Sequence, residues 1–266
     1  MTEQRLDAAL AARGLARSRT HAHELISSGL VRVSGRPCIK PAHKVTDDTL
    51  IEVEGLSHYV SRAAHKLIAA LDAFDVPVSG RNALDIGAST GGFTQVLLER
   101  GIDKVVALDV GRAQISPSIR SDARVIVVEG VNARYLNRDN LTGILGQSYD
   151  ASLVVADLSF ISLTQVMAAL VATASHDADF VLLIKPQFEV GRTGVREGIV
   201  TNPGLREDAI NAVLWSAWDH GLGVRGIVSS PILGGHGNHE YLVWLNALEG
   251  DNPTQWRDTI HQLSGG

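Results

Sequence analysis

Four charged side chains stand where this sequence passes from apolar runs into turns. Asp157 closes "LVVAD", Lys185 follows "FVLLI", and Glu240 opens "EYLVWL". Lys66 lies ahead of them on a helical stretch, "SRAAHKLIAALDAF". Amines beside carboxylates can orient a weak nucleophile and carry its proton away. Each of these residues alone reads as an ordinary loop or surface charge. Three at the ends of apolar runs, with a lysine-bearing helix in front, point to one reactive rim.

A second candidate is "LDIGASTGGFTQVLLERG", residues 84–101, which reads as a strand, a glycine-rich turn and a helix. Turns of this kind receive nucleoside triphosphates, dinucleotides or S-adenosylmethionine (SAM). The Gly-Lys-Ser/Thr of a phosphate-binding loop is missing, which disfavours phosphoryl transfer. "GASTGG" matches the dinucleotide fingerprint only loosely, with Ser89 where the middle glycine belongs. Asp109 ends the next apolar run at the position of an acid that takes ribose hydroxyls, but NAD and SAM both carry that ribose. Asp85, two residues before Gly87, discriminates better. A carboxylate there opposes a pyrophosphate and suits the cationic amino group of SAM.

The elements that must position these residues are legible as alternation. Apolar runs at 83–87, 105–110, 125–129, 152–157, 180–184, 224–228 and 241–246 are interleaved with helical stretches near 93–100, 162–174 and 204–220. This predicts an α/β fold, a Rossmann-like seven-stranded and mostly parallel sheet, with ligands beyond the carboxyl ends of its strands. In methyltransferases of this architecture the last strand enters antiparallel, so its start, at Glu240, meets those ends. The expected division is a small α+β domain over 1–58, a linker and helix carrying Lys66 over 59–80, a catalytic domain over 81–250, and a C-terminal tail over 251–266. Ser61 is the expected N-cap of the Lys66 helix.

Composition narrows the class. With 45% apolar and 20% charged residues the 266-residue chain reads as a globular protein. The single cysteine, Cys38, allows no internal disulfide and no cysteine-based zinc site, which suggests a cytoplasmic setting. Neither a signal peptide nor a membrane-length apolar run is evident, so no membrane role is expected. "HAH" at 21–23 and "HGNHE" at 236–240 lack further ligands at metal spacing, so no metal is expected. The net charge of −5 hides an asymmetry: residues 1–44 carry eight Lys/Arg against three acids. A basic segment on an acidic protein suggests a polyanion contact. Within it, Leu6, Ala9 and Leu10 share one helical face that Gly14 ends. Ser18 caps a second helix, with Ala22, Leu25 and Ile26 inward and Gly29 after it.

Arg5-Leu6-Asp7, Gly14, Ser18-Arg19, Ile26, Gly29 and Val31-Arg32-Val33 with Gly35 resemble the small RNA-binding domain first seen in ribosomal small-subunit protein four. The resemblance implies contact with structured RNA through Arg5, Arg13, Arg17, Ser18, Arg19, Arg32, Arg36, Lys40 and Lys44. Lys66, Asp157, Lys185 and Glu240 resemble the K–D–K–E tetrad of the FtsJ-like ribose 2′-O-methyltransferases. With "SRAAHKL", "GASTGGFT", "DVG", "ADLSFISL", "KPQFEVG" and "HEYLVWL" in order, the chain resembles the TlyA family over most of its length. Those proteins are rRNA cytidine 2′-O-methyltransferases, historically labelled haemolysins. One departure is Thr90, where many FtsJ-like enzymes have proline.

The resemblance implies SAM as methyl donor and rRNA within ribosomal subunits as partner. Lys185 would stand nearest the 2′-hydroxyl as base or orienting donor, with Lys66, Asp157 and Glu240 arranging it. Around SAM it favours Asp85, Gly87, Ser89, Thr90, Gly91, Gly92 and Phe93 at the methionine, together with Asp157. Asp109 would take the ribose, and Asn132 and Ala133 the adenine. Phe160 either stacks on the target base or packs in the core. The rival readings are a non-catalytic RNA-binding factor and a membrane-acting haemolysin. No oligomeric state is encoded in the motifs, and a monomer is the default expectation.

Overall fold

The computed structural model describes residues 3–13, 15–16, 18–46, 49–53, 58–191 and 194–265. Gly14, expected to end the first helix, and Arg17, expected at the RNA face, lie outside them. The chain divides into two compact units, residues 1–58 and 59–266. The segment 59–80, expected as a linker and a helix carrying Lys66, falls within the larger unit.

The smaller unit is built from α1 (Leu6–Ala12), α2 (Arg19–Ser27) and short strands β1 (Gln4–Arg5), β2 (Val31–Val33), β3 (Arg36–Pro37), β4 (Lys44–Val45) and β5 (Ile51–Val53). Leu6, Leu10, Ala22, Ile26, Val31 and Val45 form its core. Ser18 caps α2, its side chain accepting from the His21 N–H at 3.1 Å. Leu25 is only partly buried beside that core.

The larger unit holds a seven-stranded sheet of β6 (Asn82–Ile86), β7 (Lys104–Asp109), β8 (Val125–Glu129), β9 (Leu153–Ala156), β10 (Asp179–Ile184), β11 (Gly223–Ser229) and β12 (Tyr241–Asn246). The spatial order is β11-β12-β10-β9-β6-β7-β8, with β12 antiparallel to both neighbours and the other pairings parallel. The chain runs outward from β6 to β8 and then returns to β9 on the other side of β6. Such a reversal opens a crevice beyond the ends of β6 and β9.

Alternation along each strand feeds two cores. Leu84, Ile86, Val106 and Leu108 face α6 (Arg138–Leu145), α7 (Met167–Thr173), α9 (Pro203–Asp219) and α10 (Arg257–Ser264). Ala83, Val105, Ala107 and Val155 face α3 (Ala64–Phe74), α4 (Gly92–Glu99) and α5 (Pro117–Arg120). The expected tail is folded: Ile260 of α10 is fully buried, and Arg206 of α9 donates from Nη2 to the Ser264 carbonyl at 2.7 Å. No helix among the described residues is long and apolar enough to cross a membrane.

Candidate active site

The register of β10 and β12 pairs Ile184 with Tyr241, so Lys185 and Glu240 emerge side by side beyond the sheet. Asp157 follows β9, the next strand over. Lys66 arrives from α3, where it is buried along with Leu67, Ala70 and Leu71. Ser61 does not cap this helix; Ala63 holds the cap position, and the Ser61 hydroxyl accepts from the Ala63 N–H at 3.1 Å.

The four charges form two ion pairs. Lys66 donates to Glu240, and both are almost wholly enclosed. Lys185 Nζ lies 2.5 Å from Asp157 Oδ1, a charge contact away from the line of a directed hydrogen bond, and donates to Ser159 Oγ at 2.9 Å. An ammonium carries three donors, so one remains beyond those facing Asp157 and Ser159.

Two cavities meet at this point. The first, of 570 Å³, is lined by Gly87, Ser89, Asp109, Asn132, Ala133 and Asp157, among others. The second, of 490 Å³, is lined by Lys66, Asp157, Lys185, Gln187, Phe188 and Glu240, among others. Asp157, Ser159 and Phe160 border both. Phe160 is 91% exposed, so it takes no part in the core. Its φ of +64° is a conformation that bulky side chains rarely adopt. Its ring lies 5.3 Å from that of Phe188.

The glycine turn divides by role. Gly87 has φ +80°, and a Cβ there would lie 2.7 Å from the Asp157 carbonyl, so only glycine lets the β6 and β9 loops approach. Asp109 accepts from the Ser89 N–H at 2.8 Å and from the Gly111 N–H at 2.7 Å, which sets the cavity floor. Thr90, Gly91, Gly92 and Phe93 do not line the cavity. A Cβ on Gly92 would meet Ser61 at 2.8 Å, Gly91 lies against Ile119, and Phe93 is buried in the α3/α4 core. Gly91, Gly92 and Phe93 serve helix packing behind the turn.

Asp85 is fully buried on the α4 side and accepts from Thr94 Oγ1 at 2.5 Å, while its Oδ1 has no partner among the described residues. Burial pushes its carboxyl up to about 7; the charges of Asp157 and Asp109 add to this, and the Thr94 hydroxyl opposes it. Asp109 and Asp157 line the first cavity, and Asp85 is buried one residue before its wall at Ile86; carboxylates there favour a cation and repel a pyrophosphate. An adenosine bearing a cationic tail fits this chemistry, with Asp109 and Asp157 on the cavity wall.

Sequence reasoning missed several supporting groups. Ser159 holds Lys185. Glu189 accepts from Ser162 Oγ at 2.5 Å and from the Leu163 N–H at 2.9 Å, tying the loop after β9 to the segment after β10. Burial pushes the Glu189 carboxyl up, against the effect of those hydrogen bonds. Asn238 accepts from the Val200 N–H at 3.0 Å and donates to the Gly198 carbonyl at 2.7 Å, joining two walls of the second cavity. Ser159 and Glu189 lie inside the motif strings "ADLSFISL" and "KPQFEVG", the one available signal.

In the smaller unit the expected RNA residues separate. Arg36, Lys40 and Lys44 are exposed, and Arg32 is half-buried. Arg5 and Arg19 converge on Asp7, at 3.0 and 3.2 Å. The Arg5 hydrogen bond, aided by Arg19 and opposed by burial, holds the Asp7 carboxyl down at about 2. Arg13 donates to the Thr49 and Thr46 carbonyls at 2.6 Å each, so its guanidinium is spent on the unit's own backbone. The Ser18 hydroxyl is engaged by its helix.

Residues 59–247 match the FtsJ-like methyltransferase family, and residues 4–51 match the S4 domain. Over 244 residues the chain is 51% identical to the 16S/23S rRNA (cytidine-2′-O)-methyltransferase TlyA of Mycobacterium tuberculosis, covering 91% of this chain and 89% of that one. It is 39% identical over 239 residues to Hemolysin A of Brachyspira hyodysenteriae, covering 90% and 98%. A solved structure from Streptococcus thermophilus, named a hemolysin, superposes with a TM-score of 0.77 at 36% identity, over 100% of this chain and 95% of that one. The chain belongs to the FtsJ-like methyltransferase family, in its TlyA branch with an N-terminal S4 domain.

Proposed function

We propose that the protein transfers a methyl group from SAM to the ribose 2′-hydroxyl of a cytidine in ribosomal RNA. The observation that carries this reading is the Lys185–Asp157 pair at the common border of the two cavities. When bound, SAM supplies an electrophilic methyl on a positively charged sulfur. Asp85, Gly87, Ser89, Asp109, Asn132 and Ala133 are the residues suited to hold it.

The remaining work falls to side chains. A 2′-hydroxyl is a weak nucleophile and must be aligned as its proton departs. The third N–H of Lys185 orients the hydroxyl oxygen, and the Asp157 carboxylate beside it receives the proton. Glu240 and Lys66 neutralise each other beside it and fix the cavity wall. Incubating the protein with labelled SAM and separate ribosomal subunits is expected to label a cytidine ribose at its 2′-oxygen. Absence of label from both subunits and from their RNA would overturn the proposal.

The S4 unit supports an RNA acceptor through its exposed cations. Lys40→Ala is expected to lower the salt dependence of RNA binding by close to one released counterion, a log–log slope change of about 0.7–0.9. Arg13→Ala is expected to leave that slope unchanged. It should instead destabilise the unit by about 1–3 kcal/mol, because its charge-assisted bonds to two carbonyls are lost. Salt titrations of RNA affinity with thermal melts separate the two roles. A slope change from Arg13→Ala without a stability change contradicts the assignment.

A further inference from the structure

The polar side chains at the centre of the second cavity are committed. Lys66 is paired with Glu240, Lys185 with Asp157 and Ser159, and the Asn238 amide bonds three backbone groups. Gln187 is different. It lies on α8 (Pro186–Glu189), between Lys185 and Phe188, and lines the cavity. Its Oε1 is buried and has no hydrogen-bond partner among the described residues. Folded proteins avoid buried acceptors without donors, so such a group at a cavity wall marks where a ligand donor belongs.

The neighbours indicate the ligand. Phe160 and Phe188 present a tilted aromatic pair beside this amide, and Phe160 is almost entirely exposed. An exposed aromatic face next to an amide receives the face and the edge of a nucleobase. Building on the reading that the acceptor is a ribonucleotide, we propose that Gln187 reads the target base. Oε1 accepts from an exocyclic amino group, and Nε2 donates to the adjacent ring nitrogen. Cytosine offers that donor and acceptor at N4 and N3. Uracil offers the reverse, O4 and N3–H, which sets carbonyl against carbonyl. Turning the amide over would bury two N–H groups in place of one carbonyl, so the order is held. Adenine shares cytosine's order at N6 and N1, so Gln187 separates amino bases from keto bases and leaves purine exclusion to cavity size.

The test uses ribosomal subunits carrying the mapped target as cytidine or uridine, with wild type, Gln187→Met and Gln187→Glu. Wild type is expected to favour cytidine by about tenfold or more in kcat/KM. Gln187→Met should bring the ratio to within about threefold, chiefly by loss on cytidine, with SAM affinity unchanged and the melting temperature not lowered. Gln187→Glu keeps the acceptor and should retain a preference for cytidine. An unchanged ratio in Gln187→Met, or a wild type indifferent to the base, overturns the assignment. A wild type that labels neither substrate overturns the ribose-methylation reading itself, and this assignment with it.

Discussion

Replacing Lys185 by alanine or methionine is expected to reduce methyl transfer by about a thousandfold while SAM affinity stays within a few-fold. Lys185 is the cation held by Asp157, which borders both cavities, and its ammonium has a donor left for the acceptor oxygen. Its loss removes both alignment of the hydroxyl and relief of the charge that develops on it. SAM affinity is spared because the residues proposed for its adenosine and methionine ends, Asp85 of β6 and residues of the loops after β6, β7 and β8, do not include Lys185. Glu240→Gln should cost less, because Glu240 acts through Lys66 and a glutamine still accepts a hydrogen bond from it. Lys185→Arg is expected to fail as well, since a planar guanidinium does not fit a site built for a compact ammonium. Single-turnover transfer, equilibrium SAM binding and melting temperature measured on the same samples distinguish lost chemistry from lost folding. Transfer within tenfold of wild type in a folded Lys185→Ala protein would remove Lys185 from the centre of the mechanism.

The rim is readable because its logic is one-dimensional. Strand runs end where apolar residues end, which places Asp157 and Lys185 at strand mouths from sequence alone. Glu240 follows once the last strand is taken as antiparallel. The pairing of these charges is not readable. Which acid Lys66 meets depends on how α3 docks on β12, a contact across 174 residues of chain. The same limit misdirects Arg13: its charge suggests RNA, but its partners are carbonyls 33 and 36 residues away. "STGGF" reads as ligand contact throughout, whereas Gly92 is required by the close approach of Ser61. The helix at 257–264 does carry a local signal, Trp256, Ile260 and Leu263 on one face, hidden among polar neighbours. Nothing in the letters distinguishes a satisfied glutamine from Gln187, because an unmet acceptor is a property of the packed cavity.

Asp85→Asn is expected to weaken SAM binding by about ten- to a hundredfold while stabilising the protein without ligand at pH 8, opposite signs from one atom. Burial raises the folded carboxyl to about 7, far above its value of about 3.9 in an unfolded chain. Between those two values the folded state holds a proton that the unfolded state has released, so stability falls as pH rises through that window. At pH 8 the ionised, unpartnered Oδ1 costs of order 2–4 kcal/mol, since each tenfold change in proton affinity is worth about 1.4 kcal/mol. Asparagine carries no charge, keeps an acceptor for Thr94 and escapes that cost. The same substitution places an amide N–H where the carboxylate would meet the amino group of SAM. A cation arriving beside Asp85 favours the ionised form, so wild-type SAM affinity should rise with pH up to about 7 and then level. In Asp85→Asn both pH dependences should flatten. Denaturant melts and calorimetric titrations from pH 5 to about 9 measure the two curves independently. Unchanged SAM affinity in the variant would mean that the amine is held elsewhere. A persisting loss of stability toward pH 7 would assign the buried proton to another group. On the proposed reading, the fold keeps a buried carboxylate that destabilises it above pH 7 until a cation arrives.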